Sequence, residues 1–302
     1  PERNDMQTLS VRHVTRYSYA NPVTFQPHRL MLRPRDSHDL RLVGAELTLL
    51  PGGNVRWLHD VFGNSVAVVD FAEPSNELRI ESVLTIERYG LGGLDFELEE
   101  SAAEYPFVYS PDDRIDLGRM LDPHYPDPNS ELEAWAKRFV AARPTGTMAL
   151  LTDLNNGIHQ GFSYNLRHEQ GTQAPLETIR LGTGSCRDYA LLLIEAARAL
   201  GFGARFVTGY LYDPALDTDA PAVVGAGATH AWADIYLPGA GWVEFDPTNG
   251  TIAADNLIRV AVTRDPSQAV PVAGGFTGGT GDYLGMNVEV TVRAVDPAPL
   301  AA

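Results

Sequence analysis

The sequence holds a single cysteine, Cys186, in 302 residues. One cysteine cannot close an internal disulfide, and alone it cannot form a structural zinc site of the multi-cysteine kind. Two roles are left for it, burial as a small hydrophobe or reactivity as a thiol. Basic residues are also scarce, with 23 Lys and Arg against 39 Asp and Glu, a formal net charge of -16. Such a surface repels the phosphate backbone, so no nucleic-acid partner is expected. No run approaches the roughly 20 apolar residues of a spanning helix, and no basic segment followed by an apolar core opens the chain. No membrane partner is therefore expected, and the expected location is cytoplasmic. Phosphate-binding glycine patterns and metal-ligand clusters are missing too, so neither a cofactor nor a metal is expected.

What is present suffices for a folded protein, because 44% of the residues are hydrophobic and the length accommodates two domains. Extended runs separated by turn signals cover 9–19, 29–32, 40–50, 54–59, 65–71 and 78–88. Alternation is clearest from Leu78 to Glu87, where apolar residues recur with the period of a strand buried on one face. Pro51-Gly52-Gly53-Asn54 and Phe62-Gly63-Asn64 supply turns. Strands without a helix predict an antiparallel β-sandwich over residues 1–104. Residues 105–128, rich in Pro and Asp, read as a linker, and 129–302 read as an α+β domain. Within it, Asn129-Ser130-Glu131 resembles a capped helix start, with Leu132, Trp135, Ala136, Phe139 and Val140 on one face. A second helix is expected from Met148 to about Gln160, and 286–294 alternates like a last strand.

The lone cysteine gains meaning from its surroundings. Gly182, Gly184 and Ser185 precede it, an apolar helix follows from Ala190 to Leu200, and Gly201 suits the helix C-terminus. A thiol at a helix start faces unpaired N–H groups and the positive end of the dipole, which favour a thiolate and offer a donor to an oxyanion. The helix itself, apolar around most of its circumference, is expected to be a central buried platform. Among eight histidines, His230 opens an alternating run, Thr229-His230-Ala231-Trp232-Ala233-Asp234-Ile235, and Trp242-Val243-Glu244-Phe245-Asp246 reads as the neighbouring antiparallel strand. In such a hairpin His230 and Asp246 lie towards the outer ends, where a carboxylate can orient an imidazole. Singly, each has a plainer reading, the His as a structural residue and the Asp before Pro247 as a turn former. Their joint occurrence in this order points to nucleophile, base and orienting acid.

Four motifs in order, Gly184-Ser185-Cys186-Arg187-Asp188-Tyr189-Ala190, the run from Leu200 to Tyr210, Thr229-His230-Ala231-Trp232, and the run from Trp242 to Thr248, resemble the bacterial transglutaminase-like superfamily. Tyr17-Ser18-Tyr19 and the run from Arg29 to Pro34 resemble the β-rich N-terminal region that accompanies this core. The resemblance implies an N-terminal antiparallel sandwich followed by a papain-like core, a nucleophile-bearing helix packed on an antiparallel sheet. It implies a Cys186–His230–Asp246 triad, and a peptide or protein amide as substrate. Arg187 stands where many relatives have Gln, a departure that bears on a substrate subsite. Tyr164 and Gln160 are candidates for an upstream oxyanion donor; core packing and an exposed helix end are their plainer readings. Trp232 and Trp242 read as cleft walls or as core. Asp188 is expected to hold a neighbouring loop, and the acidic run 213–219 to be a solvated loop placed to close over the cleft.

The reaction expected is attack of the thiolate on an amide carbonyl, with His230 protonating the departing amine. Resolution of the thioester by water, which needs no dedicated amine site, makes a peptidase or amidase. The alternatives are protein-glutamine crosslinking, resolved by an amine, and a non-catalytic binding or scaffold protein.

Overall fold

Alternation along the first third of the chain becomes six antiparallel strands in the computed structural model, which describes residues 6–89, 96–167, 171–217, 224 and 227–295. They are β1 (Met6–Phe25), β2 (His28–Arg33), β3 (Leu40–Leu50), β4 (Gly53–His59), β5 (Ser65–Phe71) and β6 (Ser75–Tyr89). In β6 every second residue from Leu78 to Arg88 is buried, as period-2 patterning requires. β3, β6 and β1 form one sheet and β4, β5 and β2 another. They close over Tyr19, Leu30, Ala67, Val69, Leu78 and Ile80, which makes the expected sandwich.

The passage 105–128, expected as a linker, is instead packed onto the core. β7 (Glu104–Tyr105) carries Tyr105, which stacks on Phe202 at 5.5 Å. The Tyr109 hydroxyl donates to the Tyr236 carbonyl at 2.7 Å and accepts from the Gly203 N–H at 3.0 Å. Its prolines set the path of the chain, and its buried aromatics hold that path to the core. After α1 (Pro111–Leu117) comes α2 (Glu131–Lys137). Its cap is Asp127, which accepts from the Glu131 and Leu132 N–H groups at 2.7 and 3.1 Å, while Ser130 sits in the left-handed region with φ 53°. Phe139 and Val140 consequently lie beyond the helix end. β8 (Thr145–Gly146) pairs with β7 and leads into α3 (Thr147–Gly161), which buries Leu150, Leu151, Leu154 and Ile158.

β9 (Ser163–Tyr164), α4 (Pro175–Leu181) and β10 (Thr183–Gly184) lead into the central helix α5 (Cys186–Ala199). Apolar residues cover nearly all of α5, and its two interior charges satisfy each other: Glu195 and Arg198 pair at 2.6 Å with both side chains fully buried. Arg198 further donates to the carbonyls of Met120, Ala204 and Arg264, and Glu195 accepts from the backbone of His124 and Tyr125. Gly201, just past the helix, takes φ 94°. The helix lies on an antiparallel sheet ordered β14–β13–β12–β11–β15, built from β11 (Ala204–Leu211), β12 (Thr229–Leu237), β13 (Gly241–Asp246), β14 (Thr251–Ile252) and β15 (Leu257–Thr263).

The last strands do not belong to this core. β16 (Val272–Ala273) pairs with β2, while β17 (Phe276–Thr277) and β18 (Tyr283–Ala294) pair with β1. The sandwich thus draws strands from both ends of the chain, which corrects the assignment of 129–302 to one domain. Alternation identifies a strand and its buried face, but not the partner it chooses. Leu9, Val11, Leu84, Val290 and Val292 of the sandwich share a buried cluster with Tyr210, Tyr212, Ile258 and Val260. His13 lies at this junction, with Nδ1 2.9 Å from the Tyr210 hydroxyl and Nε2 2.9 Å from Thr15 Oγ1. Burial lowers its pKa to about 4. The class is α+β, and no helix among the described residues is long and apolar enough to cross a membrane.

Candidate active site

Cys186 is the first residue of α5, as its glycine-and-serine approach predicts. The preceding turn is fixed by Asp188, whose Oδ2 accepts from the Ser185 N–H at 2.8 Å and from Ser185 Oγ at 2.9 Å. Gly184 is required here, since a Cβ on it would stand 2.9 Å from Asp188 Cβ. The first N–H groups of α5 have no carbonyl one turn back to bond, so the Cys186 N–H is available to a ligand oxygen.

The hairpin register runs from Leu237↔Gly241 to Ala233↔Phe245, which puts Asp246 level with Trp232 and His230 one pleat further along the same face. That diagonal brings His230 Nε2 to 2.8 Å from Asp246 Oδ2, with His230 and Asp246 each only 1% exposed. The carboxylate is held from several directions. Oδ1 accepts from the N–H groups of Thr248 and Asn249 at 2.9 and 3.4 Å, and Oδ2 also accepts from Asn249 Nδ2 at 2.8 Å. Burial pushes the Asp246 pKa up, but the His230 charge and these hydrogen bonds outweigh it and the net shift is downward.

Burial is also the largest influence on His230 and lowers its pKa, yet the Asp246 charge and hydrogen bond, then the hydrogen bond and charge of Cys186, raise it to about 10. Nε2 is taken by Asp246, while Nδ1 is buried and has no hydrogen-bond partner of its own. The arrangement therefore pairs a buried imidazole that holds its proton with an ionised carboxylate, and Cys186 is near enough to act on that imidazole.

The remaining predicted residues divide. Tyr164 is brought to the site: β9 pairs with β10 so that Tyr164 is level with Gly184, two residues before Cys186. Burial, then the nearby Cys186 charge, keep its phenol protonated well above the ordinary range. Trp232 is fully buried and stacks behind the His230 ring, with centroids 6.1 Å apart, so it backs the imidazole and does not wall a cleft. Arg187 turns away into packing: it donates to the Pro266 carbonyl at 2.8 Å and lies 4.9 Å from the Phe206 ring centre. That position argues against its expected role in a substrate subsite. Gln160 is exposed near the end of α3. Trp242 lies against the Arg205 guanidinium at 4.1 Å. In the acidic run, Asp213 Oδ1 accepts from the Ala215 N–H at 2.9 Å, a local turn, while residues 218 and 219 lie outside the described residues.

Three contributors escaped the sequence reading. Thr248 and Asn249 cradle Asp246, and His159 Nδ1 bonds the Thr248 carbonyl at 2.9 Å, fixing the cradle to α3. The signal was the turn-forming run Asp246-Pro247-Thr248-Asn249-Gly250, where Gly250 takes φ 69° and faces the His159 ring.

Residues 9–87 match the family model of the bacterial transglutaminase-like N-terminal region, and residues 133–247 match that of the transglutaminase-like superfamily. An uncharacterized protein of Mycobacterium tuberculosis is 30% identical over 295 residues, spanning 93% of this chain and 91% of that one. A protein-glutamine gamma-glutamyltransferase of Pseudomonas aeruginosa is 28% identical over 128 residues, 42% of this chain and 19% of that protein. Among solved structures, a candidate cysteine protease of Cytophaga hutchinsonii superposes with a TM-score of 0.72 at 18% identity, covering 99% of this chain and 94% of that one. That likeness concerns the fold, and the two family matches with the 30% relative give the kinship. The chain belongs to the transglutaminase-like superfamily, with the bacterial N-terminal region in front of its core.

Proposed function

We propose that the protein is a cysteine-nucleophile acyltransferase acting on amide bonds, with Cys186 as nucleophile, His230 as acid and base, and Asp246 as the group that orients and charges His230. The observation that carries this reading is the buried 2.8 Å His230–Asp246 pair, whose other ring nitrogen has no partner of its own, near a thiol at a helix start. An imidazole with its pKa raised to about 10 keeps its proton at neutral pH. That proton is the one the departing amine requires.

The thiolate adds to the amide carbonyl, and the developing oxyanion meets the Cys186 N–H, with the protonated Tyr164 hydroxyl as a second donor from β9. His230 passes its proton to the departing amine as the C–N bond breaks, leaving a thioester and a neutral imidazole. Water or an amine then adds to the thioester, gives its proton to His230 and releases Cys186 as thiolate. Hydrolysis of a peptide or protein amide is the favoured outcome, since water needs no binding site of its own. Transfer to an amine is the second reading, favoured by the partial similarity to a protein-glutamine gamma-glutamyltransferase.

The test is a pair of assays on wild type and Cys186→Ser: release of new amine termini from casein, and hydroxamate formation from a glutamine peptide with hydroxylamine. Amine release that needs Cys186 supports hydrolysis, and hydroxamate without amine termini supports transfer. Equal signals from wild type and variant in both assays refute the proposal.

A further inference from the structure

We propose that Asp188 is a positioning residue for the reaction, fixing the Cys186 thiol in line with His230; the inference rests on the reading of Cys186 as nucleophile. Its carboxylate is fully buried two residues past the thiol, and the two oxygens face different elements. Oδ2 accepts from the Ser185 N–H at 2.8 Å and from Ser185 Oγ at 2.9 Å, which fixes the residue just before Cys186. Oδ1 accepts from the Gln173 N–H at 2.7 Å and from Arg167 NH1 at 2.9 Å, which fixes the two ends of the segment leaving β9 and approaching α4. Gln173 extends the grip, donating through Nε2 to the Thr183 carbonyl at 2.9 Å and to Thr178 Oγ1 at 3.0 Å.

A buried carboxylate is held by several donors because its charge would otherwise be costly, and the same bonds hold the donors in return. Here those donors surround the turn that aims the thiol. The Tyr164 strand is joined to the same turn, with the Asn165 N–H donating to the Gly184 carbonyl at 2.9 Å. One side chain therefore sets the position of the thiol and the spacing between Cys186 and the Tyr164 side of the site. A carboxylate that only capped α5 would need the Ser185 bonds alone. The Oδ1 grip on Gln173 and Arg167 makes it a tie between the nucleophile and the segment across from it. An amide at this position turns an NH2 group towards donors on one side, so Asp188→Asn breaks one half of the tie without changing its size.

The experiment measures the rate of Cys186 alkylation by iodoacetamide at pH 7 in wild type, Asp188→Asn, His230→Ala and the double variant, with melting temperatures alongside. Ser185→Ala, which removes only one bond to Oδ2, is the milder second variant. If Asp188 positions the thiol for His230, Asp188→Asn slows alkylation about 10-fold in the wild-type background, in keeping with loss of one charge-assisted hydrogen bond. It then has no further effect once His230 is gone, and Ser185→Ala gives a smaller slowing of the same pattern. An equal slowing with and without His230 marks a purely structural role and overturns the proposal, as does no slowing at all. Wild type reacting no faster than His230→Ala is a different failure, because it removes the nucleophile reading on which the proposal rests.

Discussion

Replacing His13 tests the junction between sandwich and core through its response to pH. The ring is buried between β1 and β11, with both nitrogens engaged by Tyr210 and Thr15. Its folded pKa of about 4 lies below the unfolded value of 6.5, so within that interval the unfolded chain binds a proton that the folded chain excludes. Stability is therefore fully present above pH 6.5 and is lost as pH falls towards 4. At about 1.4 kcal/mol per pH unit, the loss from this one residue is roughly 3 kcal/mol. His13→Gln keeps polar atoms in the gap but cannot titrate. Urea unfolding of both proteins, followed by tryptophan fluorescence between pH 7 and 4, isolates the residue because the other titrating groups cancel in the difference. The variant should be the less stable protein at pH 7 and should gain roughly 3 kcal/mol on wild type by pH 4. A difference that stays constant to within about 0.5 kcal/mol across that range would refute the account of His13 as a neutral, desolvated group.

Asp246→Asn removes the charge that raises the His230 pKa, so the turnover of a casein or glutamine-peptide substrate should drop about 100-fold or more, with the alkaline limb of its pH profile displaced towards neutrality. An unchanged alkaline limb would separate Asp246 from the titration of His230. Leu192→Ala, in the fully buried middle of α5, should lower stability by about 2–5 kcal/mol, visible as a lower urea midpoint, through the cavity it leaves under the nucleophile helix.

The six sandwich strands and the cysteine helix were legible because each follows from local information. Leu78, Ile80, Leu84 and Ile86 of β6 are apolar and buried in alternation, and the approach Gly184-Ser185 with Gly201 behind brackets α5. The hairpin was legible for the same reason, and with it the approach of His230 to Asp246. What escaped depends on distant partners. Nothing in the alternation of 286–294 says that it pairs with β1, nor does the Pro-rich passage at 105–128 announce that Tyr105 and Tyr109 bury against the core. Side-chain direction was hidden as well: Trp232 and Arg187 lie beside site residues in sequence, yet one backs the imidazole and the other packs on Phe206. The Asp127 cap of α2 was missed because Ser130, the nearer cap residue, adopts a left-handed backbone and leaves the role to a carboxylate upstream.

The most direct measurement of the central claim is the rate at which iodoacetamide alkylates Cys186 between pH 5 and 9 in wild type and in His230→Ala. The account predicts rapid modification of folded wild type already at pH 6 and a large slowing at that pH in the variant, because the imidazolium beside Asp246 holds the thiolate in place. A thiol that reacts equally in both proteins, or only after unfolding, would contradict the triad and leave the buried His230–Asp246 pair as a structural contact.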